Sequence, residues 1–325
     1  MDQLSPAFVG EKCAEVLERV ALSVVGKQRE LRLVLAGILA GGHVLLEDMP
    51  GLGKTLTARS FAQVLGFSFR RLQFTPDLLP ADVTGAYIYN QRLGEFEFRR
   101  GPIFTNLLLA DEINRTPPRT QAALLEAMQE RQVTVEGNTT PLEEPFHVLA
   151  TANPIEYEGT YPLPEAQLDR FLLRISFGYL SAADEAEVVL RRIARHQEEQ
   201  TLEAVVDSAT LLEMQRTVEE IVVDTSVVDY MVALGAATRE HPHVLVGASP
   251  RGALALMLAS RATAAIDGRE FVTPDDVKDV AAAALAHRIT LRPETYLHRI
   301  SREQVIRTIL EQVPVPESSS LPEFT

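Results

Sequence analysis

An α/β domain built on a parallel sheet, carrying two inserted β-hairpins and followed by an all-α domain, is what the sequence predicts. Three observations predict it. A short apolar strand, a glycine-containing loop and a helix follow one another over residues 43–65. Further apolar runs recur at 106–110, 147–151 and 171–177, with helical stretches between them. Beyond about residue 182 the periodicity is helical throughout.

Residues 11–22 read as an amphipathic helix, with Val16, Leu17 and Val20 on one face. A second helix spans 27–40, where Leu31, Val34, Leu35, Ile38 and Leu39 recur at helical spacing until Gly41-Gly42 stops it. The strand at 43–47, the loop at 50–53 and a helix at 55–65 begin a βαβ unit. A strand follows at 69–74. The runs NLLLA and HVLAT are almost uniformly apolar, as strands are when helices cover both faces of a parallel sheet. With a helix at 120–129 and the strand FLLRISF, the pattern is doubly wound. The alternating stretch 87–98 turns at Leu93-Gly94-Glu95, and the stretch 132–142 turns at Glu136-Gly137-Asn138. Both predict hairpins projecting from the rim of the sheet.

The second domain is expected to hold helices at 184–198, 208–222, 225–239, 250–267 and 274–288. Thr273 suits an N-cap, with Pro274 at the first helical position and two acids behind it. The expected division is an α/β domain over 1–182, an all-α domain over 183–312 and a disordered Pro- and Ser-rich tail over 313–325.

Composition narrows the function. The chain has 325 residues, 46% of them hydrophobic, enough to form a core. Its formal net charge of −14 repels phosphate backbones on average, which argues against a broad nucleic-acid-binding face. Cys13 is the only cysteine, so an intramolecular disulfide and a cysteine-based metal cluster are both impossible. The seven histidines lack metal-ligand spacing. The N-terminal stretch lacks the pattern of a secretory signal. The apolar run 31–46 is broken by Arg32, Gly41, Gly42 and His43, so no membrane span is expected. The expected location is cytoplasmic.

The chemistry concentrates in a few places. Pro50-Gly51-Leu52-Gly53-Lys54-Thr55 lies between a strand and a helix. Backbone N–H groups at a helix N-terminus bind phosphates, and the two glycines let the phosphates approach. Lys54 would neutralise β- and γ-phosphates, and the Thr55 hydroxyl would ligate Mg²⁺. The usual first glycine of this pattern is here Asp48. The strand 107–110 delivers Asp111 and Glu112, one suited to holding Mg²⁺ and its water shell, the other to polarising the attacking water as general base. Asn153, at the end of another strand, is placed to orient that water; an Asn-Pro turn is the plainer alternative. Arg170, just before the last core strand, is placed to reach a neighbouring subunit's γ-phosphate, the alternative being an ion pair with Asp169 or Glu165. Arg174 is a weaker candidate for that role. Arg251, after Ser249-Pro250, opens a helix and is expected to point at a nucleotide between the two domains.

With these residues in hand, the chain resembles the MoxR family of AAA+ ATPases over about residues 10–310. The residues that carry the resemblance are 51–55, Asp111-Glu112-Ile113-Asn114-Arg115, the run QAALLEAMQERQV at 121–133, 150–154 and 163–171. The resemblance implies Walker A at Lys54 and Thr55, Walker B at Asp111 and Glu112, sensor 1 at Asn153, an arginine finger at Arg170 and sensor 2 at Arg251. Leu56, Val25 and Gly26 join the implied nucleotide contacts, with ATP and Mg²⁺ as cofactors. It also implies a homo-hexameric ring that acts, chaperone-like, on a partner with a von Willebrand factor A domain. A metal-chelatase ATPase subunit, a nucleic-acid motor or loader, and a scaffold that binds ATP without turnover are the alternatives.

Overall fold

The computed structural model describes residues 4–153, 160–196 and 200–316. Two helices open the chain, α1 (Pro6–Ala21) and α2 (Gln28–Leu39). The first starts earlier than the apolar periodicity indicated. Ser5 accepts the Phe8 N–H and Pro6 takes the first position, so the cap sets the start. The sheet then begins with β1 (Val44–Glu47), α3 (Lys54–Val64) and β2 (Phe69–Gln73). Next come α4 (Pro80–Thr84) and a hairpin of β3 (Gly85–Asn90) and β4 (Glu95–Arg100). The core resumes with β5 (Leu107–Asp111), a 3₁₀ turn at Ile113–Arg115 and α5 (Pro118–Glu130). A second hairpin pairs β6 (Gln132–Val135) with β7 (Asn138–Pro141) before β8 (His147–Ala152), α6 (Glu165–Leu168) and β9 (Leu173–Ile175).

The five core strands are all parallel, in the order β2-β5-β8-β1-β9. Their period-two alternation serves two cores. Leu107 and Leu109 of β5 face the core shared by α1, α2 and α3, while Leu108 and Ala110 face the core closed by α5. This is the expected doubly wound sheet with hairpins inserted before β5 and before β8.

The remainder is mostly helical. It comprises α7 (Ala182–Arg195), α8 (Ser208–Glu219), α9 (Thr225–Glu240), β10 (Val244–Val246), α10 (Pro250–Ile266) and α11 (Pro274–Leu285). A 3₁₀ turn at Ala286–Arg288, β11 (Thr290–Leu291), α12 (Pro293–Leu297) and α13 (Arg302–Gln312) complete it. The expectation that strands end at residue 182 is corrected by β10 and β11, which pair antiparallel. A two- or three-residue strand has too few side chains to show a period. The helix starts follow local chemistry: Ser181, Asp207, Asp224, Ser249, Thr273 and Ser301 each cap a helix with a side-chain oxygen. Of the expected helix 184–198 and tail 313–325, residues 197–198 and 317–325 lie outside the described residues. Among the described residues no helix is long and apolar enough to cross a membrane.

Among the described residues one thiol and three imidazoles are buried, two of the imidazoles beside β1 and β8. Cys13 is fully buried in α1, and that burial pushes its thiol up to about 12. His43 accepts the Val148 N–H at Nδ1 and donates from Nε2 to the Met128 carbonyl, both at 3.0 Å. His147 donates from Nδ1 to the Gly42 carbonyl at 3.0 Å, leaving Nε2 to accept from Gln215 at 3.2 Å. Burial, foremost, pushes His43 down to about 3 and His147 down to about 4. Both rings are therefore neutral in the fold. The unfolded chain takes up their protons below about pH 6.5. Stability is thus complete above that pH and falls as the pH drops towards the folded values, with a limiting slope of about 1.4 kcal/mol per pH unit for each ring. Denaturant midpoints measured at pH 7.5 and 5.0 are expected to drop on acidification. Replacing His147 by Gln is expected to flatten that dependence.

Candidate nucleotide-binding site

The carboxyl ends of β1, β2, β5 and β8 converge on one cleft of about 390 Å³. It is lined by Pro50, Gly51, Gly53, Lys54, Thr55 and Leu56 from the phosphate-type loop and by Asp111, Glu112 and Asn153 from the strand ends. Gly51 and Gly53 both stand at φ +83°. A Cβ built on either would meet nothing within 4 Å, so each glycine supplies backbone freedom and leaves open space over the N-terminus of α3. Lys54 reaches back to the Asp48 carbonyl at 2.6 Å. Half-burial holds its ammonium below the ordinary lysine pKa, while Asp48, Asp111, Glu112 and Glu47 pull the other way.

Asp48, the residue in place of the usual glycine, is buried and fully used. Its carboxylate accepts the Gly178 N–H at 2.6 Å, the Ser176 hydroxyl at 3.2 Å and its neighbour Met49 N–H at 2.9 Å. It therefore ties the start of the loop to the segment leaving β9.

Strand register brings in three residues that motif spacing did not reveal. Gln73 lies opposite Asp111 in the β2–β5 pair. Arg71 donates to Asp111 Oδ2 from Nε (3.0 Å) and Nη2 (2.7 Å). Thr151 donates to Asp111 Oδ1 at 2.6 Å and accepts the Glu112 N–H at 2.8 Å. Gln73 Nε2 donates to Glu112 Oε2 at 2.7 Å, and Arg115 pairs with the same oxygen at 3.2 Å. Glu112 itself has φ +57°, a left-handed conformation that costs a residue with a Cβ about 1–2 kcal/mol. The strain aims its carboxylate into the cleft. Asn153 is buried, and its backbone carbonyl accepts the Asn114 amide at 3.1 Å. Gln121, from the run 121–133, is buried and donates to the Ile113, Thr116 and Tyr161 carbonyls, which fixes the turn after Glu112. Pro154 lies outside the described residues.

The two arginines sit elsewhere. Arg170 and Arg251 line a separate cleft with Gly41, Gly42 and Leu172, which flank the starting ends of β1 and β9. Because the sheet is parallel, this is the end opposite the phosphate-type loop. Arg251 was expected to face a nucleotide held between the domains; instead it lies 3.5 Å from Asp169. Its place follows from how the helical region docks, which the local cap at Ser249 does not encode. Asp169 is held by Arg288 at 2.7 Å and Glu165 by Thr290, so neither occupies Arg170. Arg174 is no candidate for a projecting role: its side chain, 12% exposed, is paired with Glu47 and Glu303. Val25, Gly26 and Leu52 are not among the residues lining the cleft. A Cβ on Gly26 would meet the Asp184 carboxylate, and neighbouring Lys27 bonds the Phe177 and Tyr179 carbonyls, so that turn packs on the segment leading into α7.

The comparisons with known proteins agree with this fold. The family profile described as "ATPase family associated with various cellular activities (AAA)" matches residues 43–173, and that of the AAA lid domain matches 236–309. Chaperone MoxR1 of Mycobacterium tuberculosis is 43% identical, covering 92% of this chain and 81% of its own. This chain belongs to the MoxR family of AAA+ ATPases. Protein MoxR of Methylorubrum extorquens is 31% identical over 94% of this MoxR-family chain and 96% of its own. YeaC of Bacillus subtilis is 50% identical, over 95% of each. The crystal structure of a Cytophaga hutchinsonii protein superposes with a TM-score of 0.89 at 43% identity, covering 96% of the MoxR-family chain and 97% of its own.

Proposed function

We propose that this MoxR-family chain is a Mg²⁺-dependent ATP hydrolase that works as a homo-hexameric ring and remodels a partner protein bearing a von Willebrand factor A domain. The observation that carries the reading is the separation of its parts. The phosphate-type loop and the Asp111–Glu112 pair stand at one end of the sheet, and Arg170 and Arg251 at the other. In a head-to-tail ring the arginine face of one subunit meets the loop face of the next. Each site is then completed in trans, by Arg251 as well as Arg170. Residues 1–182 form the nucleotide-binding domain and 183–312 the lid in this reading.

The cleft fits the expected ligands. The open space over Gly51 and Gly53, beneath the N–H groups that start α3, suits polyphosphate. Thr55 and Asp111 offer the oxygen donors a hard cation takes, with phosphates and water filling the remaining positions. Bound Mg²⁺ would supply charge neutralisation at the phosphate oxygens. Among the described residues no group of three or more His, Cys, Asp or Glu is placed to hold a metal alone. Glu112, oriented by Gln73 and Arg115, takes the proton of the attacking water. Asn153 orients that water, and Lys54 and the neighbour's Arg170 stabilise charge on the transferring phosphoryl.

Two surfaces support assembly and client contact. Helix α7 buries none of its residues, and Val188, Val189, Leu190 and Ile193 are exposed. Yet Arg191 bonds the Ala21 and Leu22 carbonyls, so this apolar strip is held in place. The first hairpin exposes Ile88, Tyr89, Leu93 and Phe96, a surface suited to protein contact. The second hairpin carries Glu136 and no Lys or Arg, which disfavours the nucleic-acid motor. The reading is tested by the ATPase rate per subunit against protein concentration, with particle mass from light scattering. The rate is expected to rise with concentration and level off at the ring mass. A monomer that turns over at a constant rate would refute it.

A further inference from the structure

The segment that carries Arg170 is gripped by the lid at several points, and one buried arginine supplies most of the grip. Arg288 has a side chain only 5% exposed. Its Nε donates to Asp169 Oδ1 at 2.7 Å. Its Nη2 donates to the Phe171 carbonyl at 2.9 Å and the Asp169 carbonyl at 3.3 Å, and its Nη1 to the Leu172 carbonyl at 3.1 Å. Nη1 also bonds the Ala284 carbonyl within α11, which fixes the guanidinium on the lid side. His287 Nε2 donates to the Phe171 carbonyl at 3.0 Å, and Thr290 bonds Glu165. The second Asp169 oxygen faces Arg251 at 3.5 Å. Asp169 therefore stands between the lid arginine at the start of α10 and the buried Arg288, and Arg170 is its next residue.

This arrangement does more than join two domains. Carbonyls of three consecutive-turn residues (Asp169, Phe171 and Leu172) converge on one guanidinium, which fixes the backbone on both sides of Arg170. A planar, forked donor does this; a lysine ammonium cannot match that set of directions. Arg170 itself is half-buried, with no ion pair among the described residues.

We propose that Arg288 is a positioning residue that, through Asp169, aims Arg170 and Arg251 together at the neighbouring subunit's site. The proposal rests on the trans reading given above. Arg288 thus serves the nucleotide bound by its neighbour and not the one bound by its own chain. Arg288→Lys keeps the charge and loses the fork. Its rings are expected to keep wild-type mass and KM for ATP within about two-fold, while kcat falls about ten-fold.

Mixing decides the direction. Arg288→Lys subunits retain Glu112, and Glu112→Gln subunits retain an intact arginine face. In randomly mixed equimolar rings, about half of the Arg288→Lys subunits gain an intact neighbour on the arginine side, so the rate per Arg288→Lys subunit is expected to rise to about half the wild-type rate. Arg170→Ala, mixed in the same way, is the control. Rescue of Arg170→Ala without rescue of Arg288→Lys would overturn this proposal alone. Failure to rescue either would overturn the shared-site reading beneath it. If Arg288→Lys does not stay in solution, Asp169→Asn, an isosteric change, is read by the same measurements. An unchanged kcat in the variant that is read overturns the proposal.

Discussion

Replacing Glu112 by Gln is expected to leave ATP bound and almost unhydrolysed. The substitution keeps the shape of the side chain, and its amide oxygen still accepts from Gln73. It removes the carboxylate that would take the proton of the attacking water. General-base catalysis contributes about 10²–10⁴-fold, so turnover is expected to fall by that factor while affinity changes by a few-fold at most. Phosphate release under single-turnover conditions, beside titration of a fluorescent ATP analogue, separates the two. Near-normal turnover in the variant would mean that a different group is the base. The left-handed backbone at Glu112 strengthens the expectation, because residues held in strained conformations cluster at sites of chemistry.

The second large effect is expected at Arg170. Arginines supplied to a phosphoryl-transfer site from outside contribute about 10³-fold or more to kcat. Arg170→Ala is therefore expected to abolish steady-state turnover with ATP binding retained, since Arg170 does not line its own subunit's cleft. The melting temperature is expected to stay the same, because no ion pair among the described residues is lost. Arg174→Ala provides the contrast. It strands Glu47 and Glu303 beside a nearly buried position, at a cost of about 1–3 kcal/mol. Its signature is a lower melting temperature. Should Arg170→Ala hydrolyse ATP normally while Arg174→Ala loses turnover at full stability, the two roles would have to be exchanged.

Which parts were legible in the sequence follows from how far apart the interacting residues lie along it. The phosphate-type loop was readable because its glycines, Lys54 and Thr55 act from adjacent positions on one strand–loop–helix unit. Asp111 and Glu112 were readable for the same reason. Arg71, Gln73 and Thr151 were not, because only the pairing of β2 and β8 with β5 brings them to the acids. For Arg71 and Gln73 the one signal was polar residues in β2, where an apolar strand would be expected; Thr151 lay within the run 150–154 without a role of its own. Asp48 was visible as a departure from a pattern, but its partners Ser176 and Gly178 lie across the domain. Helix α13 was missed although Ser301 and Gln304 form a capping box that the sequence displays. The position of Arg251 depends on the docking of α10 against α1, α2 and α11, which no local pattern carries.

Cys13 has a practical consequence. The only sulfhydryl in the chain is enclosed by α1's neighbours and stays protonated at neutral pH. Thiol-directed dyes react with thiolate, so the native chain is in effect silent to them. A single cysteine introduced at the exposed tip of the first hairpin, or on the apolar strip of α7, would then carry the label alone. Energy transfer between such labels could follow subunit exchange and hairpin motion with every native residue outside the labelled position intact.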